Sequence, residues 1–109
     1  MKNAQAIPFL VLTIFLAIGC VQDNTAQVKV YVNDDSGKPV DGAYVSAYSD
    51  YKLGSGGADK WTALNGSIEV TGTAKNGSIT LNVIPGNYAF KAAKEQAMGG
   101  EEKLITQKN

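Results

Sequence analysis

The sequence predicts an all-β domain built as a sandwich of two sheets. Two patterns support this prediction: apolar and polar residues alternate over several short segments, and clusters of Gly, Asn, Asp and Pro separate these segments. Two Asn-Gly pairs, the sequence typical of tight hairpin turns, strengthen it. With 109 residues the chain has room for one domain, so a single small core has to hold the fold together.

The clearest predicted strand covers residues 27–33, where valine stands at every second position and polar or amphipathic side chains stand between them. A turn follows at residues 34–39, because Asp, Ser, Gly and Pro are concentrated there. A second alternating strand is predicted over residues 42–48, with small alanines facing inward and tyrosines facing outward.

Residues 49–60 lose this alternation and gain glycine, which predicts a long surface loop. Asn65-Gly66 and Asn76-Gly77 are expected to form hairpin turns and so to give a meander of neighbouring strands. Residues 92–98 consist of good helix formers, so they are expected to form either one short helix or the arm of a hairpin. Five further segments are predicted to be strands: residues 61–64, 67–73, 78–84, 87–92 and 103–107.

The first twenty residues have the layout of a secretory leader. A positive start precedes an apolar run over residues 6–18, and the small Gly19 precedes Cys20, the only cysteine. The last five of these residues, LAIGC, resemble the lipobox of prokaryotic lipoproteins, in which the cysteine is lipidated and becomes the first residue of the mature chain. The alternative is an uncleaved membrane anchor, although the run is shorter than the ~20 residues that a spanning helix needs.

The lipoprotein interpretation divides the chain into three parts. Residues 1–19 are a signal peptide with a signal helix, residues 20–26 carry the lipidated Cys20 and a short tether, and residues 27–109 form the sandwich domain. The predicted location is outside the cell, on the outer face of the cell membrane or outer membrane, with the lipid as the membrane partner.

Composition argues against several functions. Lys and acidic residues balance to a net charge of zero, so nucleic acid is not an expected partner. The chain has no His, which removes the usual base of hydrolases and the usual ligand of transition metals, and it has no Arg. We therefore expect a protein that is not an enzyme and that binds no cofactor or metal.

Two segments together resemble the carboxypeptidase-regulatory-like group of transthyretin-related sandwiches: VKVYVNDDSGKPVDGAYVSAY and, some forty residues later, NGSITLNVIPGNYAFKA. The resemblance covers most of residues 27–92. It implies a seven-strand Greek-key sandwich of the transthyretin (prealbumin) type that serves as an accessory, adhesion or spacer module. The hydrolases of the transthyretin-like group depend on histidines and an Arg-containing motif, so the resemblance does not carry that activity to this chain.

Five aromatic residues are the candidate binding residues, because exposed aromatic side chains supply contact area for sugars or protein partners. Whether the first two share a face is open, since a hairpin would pair them and a transthyretin-like topology would place them in different sheets. Ordinary strand and loop positions are the simpler interpretation of all five. The candidates are Tyr31, Tyr44, Tyr48, Tyr51 and Trp61.

Two other kinds of site are weaker. Asn65 and Asn76 each begin an Asn-Gly-Ser sequence that fits the glycosylation pattern, although hairpin turns explain the same residues. The acidic run at Asp34-Asp35 lacks the spaced ligands of a calcium loop and is better explained as a solvated turn.

The sequence as a whole predicts a non-catalytic structural, adhesion or binding module of the cell envelope, with a protein or a carbohydrate as its partner. A subunit of a larger surface complex is the second hypothesis. An enzyme that uses Lys, Glu or Asp without His is the third.

Overall fold

Seven strands form two antiparallel sheets around a shared core, which confirms the predicted all-β sandwich. The computed structural model describes residues 10–16, 25–55, 59–95 and 97–106. The elements in chain order are β1 (Leu10–Leu16), β2 (Ala26–Asp34), β3 (Tyr44–Lys52), α1 (Asp59–Thr62), β4 (Asn65–Thr73), β5 (Ser78–Val83), β6 (Gly86–Lys94) and β7 (Ala97–Ile105).

The strands divide into a small sheet of three and a large sheet of four. The small sheet has the order β1-β2-β5, and the large sheet has the order β4-β3-β6-β7. The chain crosses between the sheets after β2, after β4 and after β5, so β5 returns to pair with β2 in a Greek-key connection. Consecutive strands β4 and β5 lie in different sheets, so the expected meander over this part of the chain is wrong.

The inward face of β2 forms the centre of the core. Val28, Val30 and Val32 are fully buried, as the alternation predicted. Small side chains oppose them from β3, where Val45 and Ala47 are also fully buried. Because both β2 and β3 lie inside their sheets, each is flanked by a strand on either side.

One buried tyrosine closes the end of the sandwich where β5 leads into β6. The Tyr88 hydroxyl donates a hydrogen bond to the Ile84 carbonyl at 2.5 Å, and the Tyr88 ring lies 5.8 Å from the Phe90 ring between centroids. A tyrosine whose hydroxyl binds back to the backbone of the preceding corner is similar to the tyrosine corner that immunoglobulin-like sandwiches have, and we use that term for it here. The bond ties the start of β6 to the connection that follows β5.

Two predicted turns are confirmed. Asp34 Oδ1 accepts hydrogen bonds from the Ser36 and Lys38 backbone amides, both at 2.9 Å, which closes the turn after β2. At the turn between β4 and β5, Asn76 and Gly77 both have positive φ, of 54° and 86°. These are the angles that a type I′ turn requires, and Gly tolerates them without strain.

Residues 61–64 are not the predicted strand. Trp61 belongs to the short helix α1, and the Leu64 amide donates to the Trp61 carbonyl in the turn that follows. As a result Asn65-Gly66 does not form a hairpin turn but begins β4, where Asn65 pairs with Lys52. The predicted loop at residues 49–60 is shorter than expected, because β3 continues to Lys52.

The predicted helix near residues 92–98 is also wrong, and the hairpin alternative is correct. Ala92 and Ala93 pair with β3 on one side and β7 on the other, and the chain reverses near Glu95, which has a φ of 55°. A segment this short gains little from helix propensity, whereas pairing on both sides buries Ala92 completely.

The seventh strand comes from the apolar run near the N-terminus. Strand β1 pairs with β2 over its whole length, and its side chains Leu10, Leu12 and Ile14 are buried in the core. In the structure the sandwich therefore includes Leu10–Leu16, which lie in the predicted signal peptide. Residues 17–24 lie outside the described residues, so lipidation of Cys20 stays a prediction.

We expect Val30→Asp to abolish folding, because a buried carboxylate with no partner costs several kcal/mol, out of a total stability of about 5–15 kcal/mol. Thr80→Asp is the matched control: it places the same carboxylate on the exposed face of β5, opposite Lys29. Thermal unfolding followed by circular dichroism measures both variants. Equal losses of stability in the two variants would contradict the assignment of the inward face.

Candidate functional site

The large sheet carries four of the five predicted aromatic residues on its outward face. Tyr44 and Tyr48 alternate with the buried Val45 and Ala47 along β3, so they point away from the core. Tyr51, at the end of β3, reaches the same face through its hydrogen bond to Glu102. Trp61 reaches it by packing against Gly100. We call this set the aromatic face: Tyr44, Tyr48, Tyr51 and Trp61.

The middle of this face is made of small side chains. Ser46 and Ala89 are buried although they point outward. Tyr48 and Glu102 flank Ala89 as its neighbours across the sheet. Larger neighbouring side chains therefore cover these small ones. Within the aromatic face, Tyr44 is the most accessible residue, with 53% of its surface exposed.

Helix α1 positions Trp61 over β7. A Cβ atom built on Gly100 would lie 2.6 Å from Trp61 Cε3, so the indole ring lies directly on this glycine. The Thr62 hydroxyl contacts Met98 Sδ at 3.4 Å, which ties the next residue of the helix to the same strand. Lys60 Nζ lies 5.7 Å from the centroid of the Trp61 ring, within the range of a cation–π contact.

A hydrogen bond across the sheet holds Tyr51. Its hydroxyl donates to Glu102 Oε2 at 2.7 Å. This bond, together with burial and the negative charge of Glu102, raises the pKa of Tyr51 to about 12. The phenol therefore stays protonated at neutral pH and acts as a donor, not as a base.

Tyr31 lies apart from the other four. It is on the outward face of β2 in the small sheet, where Lys29 Nζ is 5.2 Å from its ring centroid. Because β2 and β3 belong to different sheets, the question of whether Tyr31 and Tyr44 share a face is answered: they do not.

An open cleft of about 600 Å³ lies at the end of the sandwich near the tyrosine corner. Ser49, Glu69 and Tyr88 are among its lining residues, and the Ser49 hydroxyl donates a hydrogen bond to the Glu69 carboxylate. Burial, with a smaller effect from the charge of Glu69, raises the pKa of Tyr88. The two phenols of this cleft, Tyr51 and Tyr88, thus have pKa values moved away from neutrality, the opposite of what a general base needs.

The carboxylate of Asp34, in the turn after β2, is already hydrogen-bonded to groups of the same turn. Asp34 Oδ1 accepts from the Ser36 hydroxyl at 2.8 Å as well as from the two amides of the turn, and these bonds hold the pKa of Asp34 below its usual value. In the part of the chain that the structure describes, no group of three or more acidic, His or Cys side chains is arranged to hold a metal ion.

The two candidate glycosylation residues are exposed at different kinds of position. Asn65 begins β4, at the edge of the large sheet. Asn76 lies in the type I′ turn, where its backbone amide donates to Asp41 Oδ1 at 2.9 Å. Modification of either residue stays a prediction.

Two exposed apolar residues that the sequence patterns did not single out extend the aromatic face. Ile68, 55% exposed, is the cross-strand neighbour of Tyr48, and Leu104, 59% exposed, lies two residues beyond Glu102 on β7. Simple alternation would place Ile68 on the same face as Val70. A bulge at Glu69, which has no partner in β3, sends the two side chains to opposite faces.

Comparisons with protein-family models, with curated proteins and with solved structures found no match. The resemblance to carboxypeptidase-regulatory-like domains therefore remains a hypothesis based on its two sequence segments. Within the described ranges, no helix is both long enough and apolar enough to cross a membrane.

The Tyr51–Glu102 bond predicts a loss of stability at alkaline pH. The folded protein holds the Tyr51 proton more tightly, with a pKa of about 12 against 10.0 for an ordinary tyrosine. Its stabilising contribution is therefore complete below pH 10 and is lost as the pH rises towards 12. We expect the free energy of unfolding to fall more steeply over this interval in the wild type than in Tyr51→Phe, which cannot titrate. Denaturant unfolding at a series of pH values measures both slopes, and identical slopes would contradict the assigned bond.

Proposed function

We propose that this protein is a non-catalytic binding module of the cell envelope, held at the membrane by a lipid on Cys20. The observation that carries the binding role is the aromatic face, where three tyrosines and a tryptophan share one side of the large sheet with exposed Ile68 and Leu104. Clustered aromatic and apolar side chains of this kind are typical of surfaces that bind partners.

The sandwich suits such a role because the side chains of the aromatic face do not belong to the core that holds the two sheets together. The core consists of valines, small residues and a few large apolar side chains between the sheets. Tyr44 and Ile68 lie outside that core and are half exposed or more, so their contact area is available to a partner. The most open aromatic residue, Tyr44, is the expected centre of contact.

A catalytic role has less support. The cleft near the tyrosine corner combines a carboxylate already bonded to Ser49 with phenols whose raised pKa values keep them protonated. The chain also has no His to act as a base near neutral pH. These features favour binding over chemistry.

Lipidation is tested by metabolic labelling with a fatty acid in a bacterium that processes lipoproteins. We expect the wild type to take up label and Cys20→Ser to take up none, because the thiol is the point of attachment. The mass of the N-terminal peptide is measured alongside. An unlabelled wild type that still begins at Met1 would overturn the proposed anchor.

The binding surface is tested by recovering partners from detergent-solubilised native membranes. We expect Tyr44→Ala to weaken recovery about tenfold or more, since truncating a central aromatic residue in an interface costs about 2 kcal/mol. The melting temperature should hardly change, because this side chain lies outside the core.

Thr80→Ala is the control, because it truncates an exposed side chain on the outward face of the small sheet, away from the aromatic face. Its partner recovery should equal that of the wild type. Equal recovery by Tyr44→Ala and the wild type would remove the aromatic face from the proposal, and a large fall in melting temperature would show that Tyr44 has a structural role.

A further inference from the structure

Strand β1 is a core strand in the structure, but under the proposed function the same residues belong to the signal peptide that is removed. In the structure its side chains Leu10, Leu12 and Ile14 are each 5% exposed or less and belong to the core. Under the proposed function, processing before Cys20 removes these residues from the mature protein. The inference that follows rests on that processing.

Of the described strands, removing β1 leaves β2 and β5 in the small sheet. The edge of β2 that pairs with β1 over seven residue pairs then presents unpaired backbone amides and carbonyls. The apolar side chains beneath β1 also lose their cover. An edge of this kind is a template on which another extended chain can pair.

The rest of the sandwich is shaped to receive a strand in this place. Gly99 on β7 is buried, and a Cβ atom built on it would stand 1.9 Å from the Leu10 carbonyl oxygen. The three atoms nearest to that Cβ position all belong to the Leu10 backbone. The missing side chain therefore makes room for the backbone of a strand in the β1 position, and Gly99 stays in the chain after processing.

We propose that the mature domain has a strand-acceptor groove, bounded by the free edge of β2 and by Gly99 of β7, which binds an extended apolar segment of a partner protein in place of β1. The segment runs antiparallel to β2 and presents large apolar side chains at alternate positions, as Leu10, Leu12 and Ile14 do. Backbone pairing supplies affinity, and the inward side chains supply specificity.

Two observations favour a segment of a different protein, with polar or acidic outward side chains, as the occupant of the groove. Lys29 and Tyr31 line that side of β2, so a polar or acidic outward side chain on the incoming segment is well placed. A second copy of the chain is a poor donor, because β2 to β7, the described strands that processing leaves, are all paired within the sandwich.

The test starts from the full chain, produced with its leader in a bacterium that processes lipoproteins and extracted in detergent. The mass of the N-terminal peptide is determined first. A chain that still begins at Met1 overturns the proposed function, whereas an acylated Cys20 supports it before the groove is examined, so the two failures are distinguishable.

The probe is a fluorescent peptide with the sequence of residues 9–17, FLVLTIFLA, flanked by added lysines for solubility. Anisotropy measures its binding to the processed chain. We expect saturable binding and a higher melting temperature of the processed chain when the peptide is present. The same peptide with Asp in place of Leu12 and Ile14 should not bind, because both positions face the core.

Gly99→Ala separates groove binding from non-specific association. Its added methyl group occupies space that only the incoming backbone needs, so it should weaken peptide binding at least about tenfold while leaving the peptide-free melting temperature unchanged. Gly86→Ala is the matched control, because a Cβ there has no neighbour closer than 3.9 Å. Its peptide affinity should equal that of the wild type.

Three results would overturn the proposal for a chain with an acylated Cys20. These are no binding of the wild-type peptide, equal binding by Gly99→Ala and the wild type, or a dimer of the processed chain that Gly99→Ala abolishes. The last result would mean that a second copy of the chain fills the groove.

Discussion

The structure depends on the row of valines along the inward face of β2. These three side chains are fully buried and meet the buried face of β3 across the core, so they join the two sheets. A neighbouring strand on each side also keeps the backbone of β2 hydrogen-bonded away from water. In the small sheet those neighbours are β1 and β5, and only β5 belongs to the predicted mature domain.

The same apolar segment therefore satisfies two physical requirements. An apolar run of about a dozen residues suits the hydrophobic part of a signal peptide, and alternating buried side chains suit a core strand. Leu10, Leu12 and Ile14 meet the second requirement in the structure, and Gly99, which lacks a side chain, lies against the Leu10 backbone. Under the proposed processing before Cys20, the β1 position is vacant in the mature domain, and the proposed groove is filled when a partner supplies the strand. The aromatic face lies on the other sheet, so both surfaces can be occupied at once.

The sequence predicted those parts of the fold that local patterns determine. The alternation in β2 and β3 and the positive-φ pair at Asn76-Gly77 were all predicted correctly, because each depends on a few adjacent residues. The errors arose where tertiary contacts decide. Residues 61–64 form a helical turn that places Trp61 on Gly100, and residues 92–94 and 97–98 lie in the paired strands β6 and β7 despite their helix propensity. For the site, the outward direction of the β3 tyrosines was predicted. Ile68 was missed because the bulge at Glu69 reverses its direction, and the groove was missed because only the fold brings the N-terminal segment beside Gly99.

Amide hydrogen exchange along β2 distinguishes an open from a covered β1 position, because successive residues of an antiparallel strand direct their amides to opposite neighbours. In the processed chain without partner or peptide, we expect an alternating pattern: amides directed at β5 exchange slowly, and amides directed at the vacant β1 position exchange quickly. Adding the residue 9–17 peptide should slow the second set. Uniform slow exchange along β2 in the processed chain, before any peptide is added, would mean that the edge is already covered and that the proposed groove does not exist.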